Sequence, residues 1–346
     1  MRSRYALTEA YRLCGVGKGG ALLAPAYHCR TMLDPALRLG AECHLYPLEA
    51  DLTVNVAVVE RLLAAASGRV SAVLATHFFG FTQDFRALAE CCHRHGVHLV
   101  EDCSHLLPTL GDGGVLGALG RYSVWSPYKF YPCEDGGYLQ VNRDAAVPAG
   151  GLVQQSAWAE VKGLARLLRR SRKAENKAGF ATLEEQLALH PTGALDSGID
   201  LDESTCSPSG DYLPQQERSG MSMVSRWIVR HAEVDRIKQR RRQRYLQWLR
   251  AASAWQHCRP LHADLPDDCV PYMFPLYMER PEAHFMPLKR IGVPVWRWDS
   301  MAVSECSVAS DYRLHMFQLP CHQELDDAEL GWMIEAVSRV VAGGTT

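Results

Sequence analysis

An acid and an amine stand where two strands would end. The short run His98-Leu99-Val100 leads into Glu101-Asp102. A second run, Tyr122-Ser123-Val124-Trp125-Ser126, leads into Pro127-Tyr128-Lys129. Both have the pattern of buried strands, and in an open α/β sheet ligands gather at the carboxyl ends of strands. An amine placed there can attach a carbonyl compound as a Schiff base. A carboxylate beside it can keep a pyridine nitrogen protonated, so that the ring draws electrons. Those are the needs of pyridoxal phosphate chemistry. Taken singly, an Asp after a strand and a Lys in a turn are ordinary solvated charges. The residues around the pair decide between the two readings.

Those residues follow an order. Glu101-Asp102-Cys103-Ser104-His105 comes first, then Gly117-Ala118-Leu119-Gly120, then Ser126-Pro127-Tyr128-Lys129, then Glu134-Asp135-Gly136-Gly137. The chain resembles the DegT-type aminotransferases, fold-type I pyridoxal phosphate enzymes, many of which aminate nucleotide-linked keto sugars. The resemblance implies that Lys129 is the Schiff-base lysine and that Asp102 contacts the pyridine nitrogen. It places His105 near Asp102 or the ring oxygen. It also implies that Ser3 and Arg4, at a turn opening a helix, lie against the cofactor phosphate, which suits the positive end of a helix. Tyr27 and His28, just after Pro25, are the candidates for stacking on the ring, and packing is the competing role for Tyr27. His77 either lines the pocket or is a satisfied core histidine.

This sequence also departs from the family pattern. Val124 stands where members usually have a phosphate-binding Ser, and Ser126, three residues before Lys129, is the substitute. Glu134-Asp135-Gly136-Gly137 replaces the commoner Gly-Glu-Gly-Gly. Members also carry more chain before the turn at Ser3.

The elements needed to position these groups are readable from periodicity. Strands are expected at 21–24, 41–48, 70–75 and 136–141, with helices at 8–13, 31–39, 55–66 and 85–95 between or beside them. Strand alternating with helix implies α/β architecture with a mostly parallel sheet sandwiched by helices. Helix is also expected at 158–173 and 183–189. Residues 190–220, rich in Pro, Gly, Ser and Asp, read as a loop or insertion. Residues 221–250 read as one long amphipathic helix whose Arg240-Arg241-Arg242 run is a solvated face. Strands near 272–278 and 294–298 and a closing helix at 326–341 fit the smaller α+β C-terminal domain that the resemblance implies. The expected organisation is a large cofactor-binding domain over 1–220 and a linking helix with the small domain over 221–346.

Composition narrows the classes further. Hydrophobic residues make up 47% and charged residues 22% of 346, with a formal net charge of -2. No nucleic-acid footprint is expected from that balance. No apolar run reaches a membrane span, and no signal-peptide pattern opens the chain. The 12 cysteines are scattered without a C-x-x-C pair, so neither a metal site nor a disulfide framework is expected. Reduced thiols suit a cytoplasmic protein.

The sequence thus reads as a pyridoxal phosphate-dependent aminotransferase. By resemblance, its substrates are a nucleotide-linked keto sugar and glutamate, and it is a homodimer with shared sites. Two alternatives stay open at this point. One is another pyridoxal phosphate reaction: an amino-acid aminotransferase, a lyase or a dehydratase. The other is a catalytically degenerate binding protein.

Overall fold

Short apolar runs, each too short to stand alone, form one sheet. The structure, a computed structural model, describes residues 2–108, 116–142, 145–175, 183, 209–210 and 212–343. In chain order the strands are Ala21–Pro25 (β1), Cys43–Tyr46 (β2), Val70–Thr76 (β3), His98–Cys103 (β4), Tyr122–Trp125 (β5) and Tyr138–Val141 (β6). They lie in the order β2-β1-β3-β4-β5-β6. The first five are parallel, and β6 runs antiparallel to β5. The sheet is the mostly parallel α/β kind expected from the alternating pattern, and the fold is the fold-type I kind that the resemblance implies. In β3 every side chain but Ser71 is buried, as a parallel strand covered on both faces requires. Burying one such Val or Leu contributes about 1.5–3 kcal/mol.

Helices make the parallel crossovers. Ser3–Leu13 (α1) precedes β1 and packs on β5 and β6. Asp34–Arg38 (α2), Val56–Ala65 (α3) and Arg86–Arg94 (α4) fill the next three connections. Asn55 caps α3, accepting the Val58 N–H at 3.2 Å. Two further helices, Ala157–Glu175 (α5) and Met223–His231 (α6), follow β6. Residues 183–220 were expected to be helix and then loop; positions 184–208 and 211 lie outside the described residues.

The chain divides into two compact units. The first comprises Met1–Leu168, Glu203–Ala232 and Met301–Ser310; the second comprises Arg169–Asp202, Glu233–Ser300 and Asp311–Thr346. Residues 221–232, grouped by sequence with the small domain, therefore fall in the first unit. Asp135 accounts for this: its carboxylate accepts the Ser222 N–H at 3.0 Å and hydroxyl at 2.9 Å, tying the start of α6 to the segment before β6.

The expected long helix is two helices. α6 ends at His231, Ala232 is extended, and Val234–Ala252 (α7) begins after Glu233. No Gly or Pro marks the break, so nothing in the local sequence announces it.

In the second unit, Cys258–Pro260 (β7), Met273–Met278 (β8) and Met316–Pro320 (β9) form an antiparallel sheet. Pro281–Arg290 (α8), Ser307–His315 (α9) and Asp327–Gly343 (α10) complete the elements; α9 runs across the division. Trp248 of α7 stacks on Phe274 at 5.9 Å and donates its indole N–H to Pro320. The strand expected at 294–298 is a single bridge between Trp296 and Gln318.

The arginine-rich run is not simply a solvated face. Arg241 and Arg244 are buried, and their guanidinium groups donate to the carbonyls of Pro271, Tyr272 and Leu325. Arg244 also pairs with Asp327. Five donors on a planar fork can satisfy several carbonyls at once, which makes burial of that charge tolerable. Among the described residues, no helix is long and apolar enough to cross a membrane.

Candidate active site

Asp102 is held from both sides by the sheet. It is the Cα partner of Thr76 on β3 and of Val124 on β5. It is only 2% exposed, and its carboxylate accepts the Ser104 N–H at 2.9 Å. α1 covers its face of the sheet. Burial first, and the Asp102 charge second, push the Tyr11 phenol well above its ordinary value. That phenol donates to the Met32 carbonyl at 3.0 Å.

Lys129 ends a tight turn, Pro127–Lys129, that follows β5 directly. Its N–H donates to the Ser126 carbonyl at 3.1 Å, so the turn sets the lysine relative to the serine. Pro127 fixes the first φ of that turn. The lysine side chain is half-buried.

His105 shares this environment. It is 3% exposed, and its pKa lies well below the ordinary value, first through burial and then through the charge of Lys129. Its Nδ1 accepts the Phe79 N–H at 3.2 Å. The neutral ring must then carry its proton on Nε2, an assignment made from the hydrogen-bond network. Phe79, which gives this bond, adopts φ +56°, a left-handed conformation that is rare for a bulky residue. The Phe79 and His105 rings stack at 5.9 Å.

The start of α1 meets the Lys129 turn. The Ser3 hydroxyl donates to the Ser126 hydroxyl at 3.3 Å, and Ser126 is fully buried. The first turn of a helix presents N–H groups without intrahelical partners, and α1 has no acidic residue there. Gly137 permits the approach. A Cβ at that position would lie 2.5 Å from the Arg2 carbonyl carbon and the Ser3 nitrogen. Gly136 pairs with Arg2 through a parallel bridge. Beside Arg2 opens a polar cleft of about 730 Å³, lined also by Asp135, Gln154, Gln155, Ser156 and Ser222.

The remaining sequence candidates take different places. Arg4 is the second residue of α1, and its carbonyl accepts the Thr8 hydroxyl at 3.0 Å. Tyr27 is fully buried, with its ring 5.8 Å from Phe78 and 6.4 Å from Phe79. It thereby joins the cluster that holds His105. His28 Nε2 accepts the Ala302 N–H at 3.2 Å, leaving Nδ1 to donate to the Ala26 carbonyl at 2.9 Å. Both polar edges of that ring are engaged with backbone.

Lys129, Asp102, His105, Ser126 and Ser3 therefore gather around the ends of β4 and β5 and the start of α1. Sequence reasoning missed Phe79 and Tyr11. A bulky residue before Gly80 is the only signal for the first; the second reads as an ordinary helix residue.

The donor set matches a flat, phosphorylated pyridine aldehyde. It offers an amine, a buried carboxylate, a neutral imidazole with one N–H, and two hydroxyls at a helix start. The Ser3–Ser126 pair at that start is the observation on which the match rests.

Comparison with known proteins finds relatives of part of this chain. Residues 4–154 match the model of the DegT/DnrJ/EryC1/StrS aminotransferase family. GDP-perosamine synthase of Vibrio cholerae is 27% identical over 145 residues, covering 41% of this chain and 39% of that protein. L-glutamine:scyllo-inosose aminotransferase of Streptomyces griseus is 31% identical over 144 residues, covering 41% of this chain and 33% of that protein. The matched segment thus spans between a third and two fifths of each of these relatives. The solved structure of Spr1654 from Streptococcus pneumoniae, in its PLP form, superposes with a TM-score of 0.66 at 14% identity. It covers 100% of this chain and 86% of that one, a likeness of fold. Residues 4–154, which hold every candidate site residue but Ser3, are thus the part of the chain that is similar to the DegT/DnrJ/EryC1/StrS aminotransferase family.

Proposed function

We propose that the protein is a pyridoxal phosphate-dependent aminotransferase. Its acceptor would be a nucleotide-linked keto sugar, its donor glutamate, and its product an amino sugar for polysaccharide or glycoconjugate biosynthesis. By the same family resemblance it would work as a cytoplasmic homodimer. The observation that carries the reading is the placement of Lys129, Asp102 and His105 around the Ser3–Ser126 pair. The name of the Vibrio cholerae relative, GDP-perosamine synthase, supports the substrate class.

The residues divide the work by chemistry. Pyridoxal phosphate, when bound, supplies a carbonyl that takes up the donor nitrogen and a ring that draws electrons from the neighbouring carbon. Lys129 would attach the group through Nζ and, once released, move the proton at that atom. Asp102 would hold the ring nitrogen in its protonated form. His105, neutral, adds no second positive charge beside Lys129, and its Nε2–H would donate to Asp102 or to the ring oxygen. Ser3, Ser126 and the N–H groups opening α1 would bind the phosphate, with Arg4 beside them.

The test is direct. Protein reconstituted with pyridoxal phosphate should develop visible absorbance, and borohydride should fix the label on Lys129. Amino transfer is then followed with glutamate and a panel of nucleotide-linked keto sugars. A label found on Lys162 or Lys289, or no absorbance at all, would overturn the reading.

A further inference from the structure

Consecutive residues of a strand face opposite sides of the sheet. Asp102 faces α1; Glu101 faces the other way and is 1% exposed. A carboxylate sealed there needs partners. Its Oε1 accepts the N–H groups of Leu119 at 2.8 Å and Gly120 at 2.5 Å. Its Oε2 lies 3.5 Å from His77 Nε2, and that side chain is equally buried.

His77, Glu101 and Cys103 place one ligand atom each within 4.8 Å of one another, the residue types of a metal site. The tautomer argues otherwise. His77 Nδ1 accepts the Gln83 N–H at 3.0 Å, so the neutral ring carries its proton on Nε2, toward Glu101. A metal-binding imidazole needs that nitrogen bare and the other one donating. His77 Nε2 makes no hydrogen bond, and its N–H stands beside the Glu101 carboxylate 3.5 Å away, an electrostatic contact inside the core.

The pair joins three strands. The His77 N–H donates to the Asp102 carbonyl at 3.2 Å, and the Gln83 side chain donates to the Thr76 carbonyl at 3.0 Å. Leu119 and Gly120 lead into β5, whose end carries Ser126 and Lys129. Gly120 is pressed close: a Cβ there would lie 2.9 Å from the Leu99 carbonyl and 3.2 Å from Glu101 Cγ. One carboxylate thus ties the end of β3 and the entry to β5 onto β4, immediately beside Asp102.

We infer that Glu101 and His77 are positioning residues for the candidate site. Through the backbone of β3, β4 and β5 they fix Asp102 relative to the Ser126–Lys129 turn. The inference rests on the reading of Asp102 and Lys129 given above, and it has one readout independent of that reading.

Glu101→Gln keeps the volume but sets an NH2 donor against either the two backbone N–H groups or the His77 Nε2–H. His77→Asn keeps an acceptor for Gln83 and withdraws the Nε2–H. In the wild-type protein without cofactor, imidazole nitrogen NMR should show His77 protonated on Nε2, and Glu101→Gln should change that resonance. Each variant should weaken pyridoxal phosphate affinity about tenfold, the scale of one lost hydrogen bond to a charged group. Each should also move the pH midpoint of the bound cofactor's absorbance. The double variant should be no weaker than Glu101→Gln alone. Val59→Ala, a buried cut in α3, serves as the control: it should lower the melting temperature and leave affinity and midpoint unchanged. A His77 protonated on Nδ1 would overturn the inference. So would folded variants with wild-type affinity and midpoint. If one variant does not fold, the other decides. Wild-type protein that binds no cofactor would overturn the functional reading, while the His77 resonance still tests the pairing.

Discussion

The hydroxyls of Ser3 and Ser126 lie 3.3 Å apart, although 123 positions separate them in the chain. One opens α1 and the other opens the Lys129 turn. Val124 occupies the place where the family usually has a phosphate-binding Ser, and it is buried opposite Asp102. The serine pair supplies hydroxyls two residues further along, at the helix start. Ser126→Ala should weaken cofactor affinity roughly tenfold, the loss of one charge-assisted hydrogen bond. Ser3→Ala should act in the same direction, and the double variant should cost less than the product of the two. Dialysis with fluorescence titration measures all three; unchanged constants would place the phosphate elsewhere.

Asp102→Asn should leave the fold and cofactor binding intact, because the amide oxygen can still accept the Ser104 N–H. Turnover should fall on the order of a thousandfold, since a neutral amide no longer favours a protonated ring nitrogen. Single-turnover rates with saturating donor measure this. Near-normal rates would remove Asp102 from the chemistry.

Gly137→Ala tests the seat of α1. The added Cβ would stand 2.5 Å from backbone atoms of Arg2 and Ser3, which cannot yield as a flexible side chain can. Destabilisation of about 1–3 kcal/mol is expected, as for other overpacked sites. Cofactor affinity should fall with it, because the same contact positions Ser3. Calorimetry and affinity measured on one preparation would show whether the two effects travel together.

Much of this arrangement is legible in the sequence, and the exceptions have physical causes. The strands ending at Asp102 and before Lys129 are short apolar runs bounded by turn residues, and such runs persist in the fold. The Gly136-Gly137 pair stands out in the sequence as a motif, but only the fold shows that α1 is what presses on it. Arg241 reads as solvated because a sequence carries no sign of the carbonyls that will meet it. The break at Ala232 has no Gly or Pro to betray it. His28 looks like a ring-stacking residue by position, yet both its nitrogens engage backbone, a fact that depends on Ala302, far along the chain. His105 is readable as a site candidate, whereas its tautomer depends on the backbone of Phe79.

That tautomer gives a pH dependence with a definite sign. Burial and the charge of Lys129 hold the His105 pKa well below the ordinary histidine value of about 6.5. Above that value neither the folded nor the unfolded chain protonates this ring, so it contributes no pH slope. Below it the unfolded chain takes up a proton that the folded chain refuses. Stability is therefore lost as pH falls from about 6.5, by up to about 1.4 kcal/mol per unit from this group, until the folded pKa is reached. His98 and His284 are shifted in the same direction by burial, so the whole protein should show a steeper slope than His105 alone gives. His105→Gln retains an acceptor for the Phe79 N–H and cannot titrate. Denaturant unfolding of wild type and His105→Gln should give parallel stabilities above pH 7 and a gap that closes in the wild type's disfavour as pH falls to 5. A constant gap across that range would mean that His105 is protonated in the fold, with a proton on the nitrogen that faces Phe79.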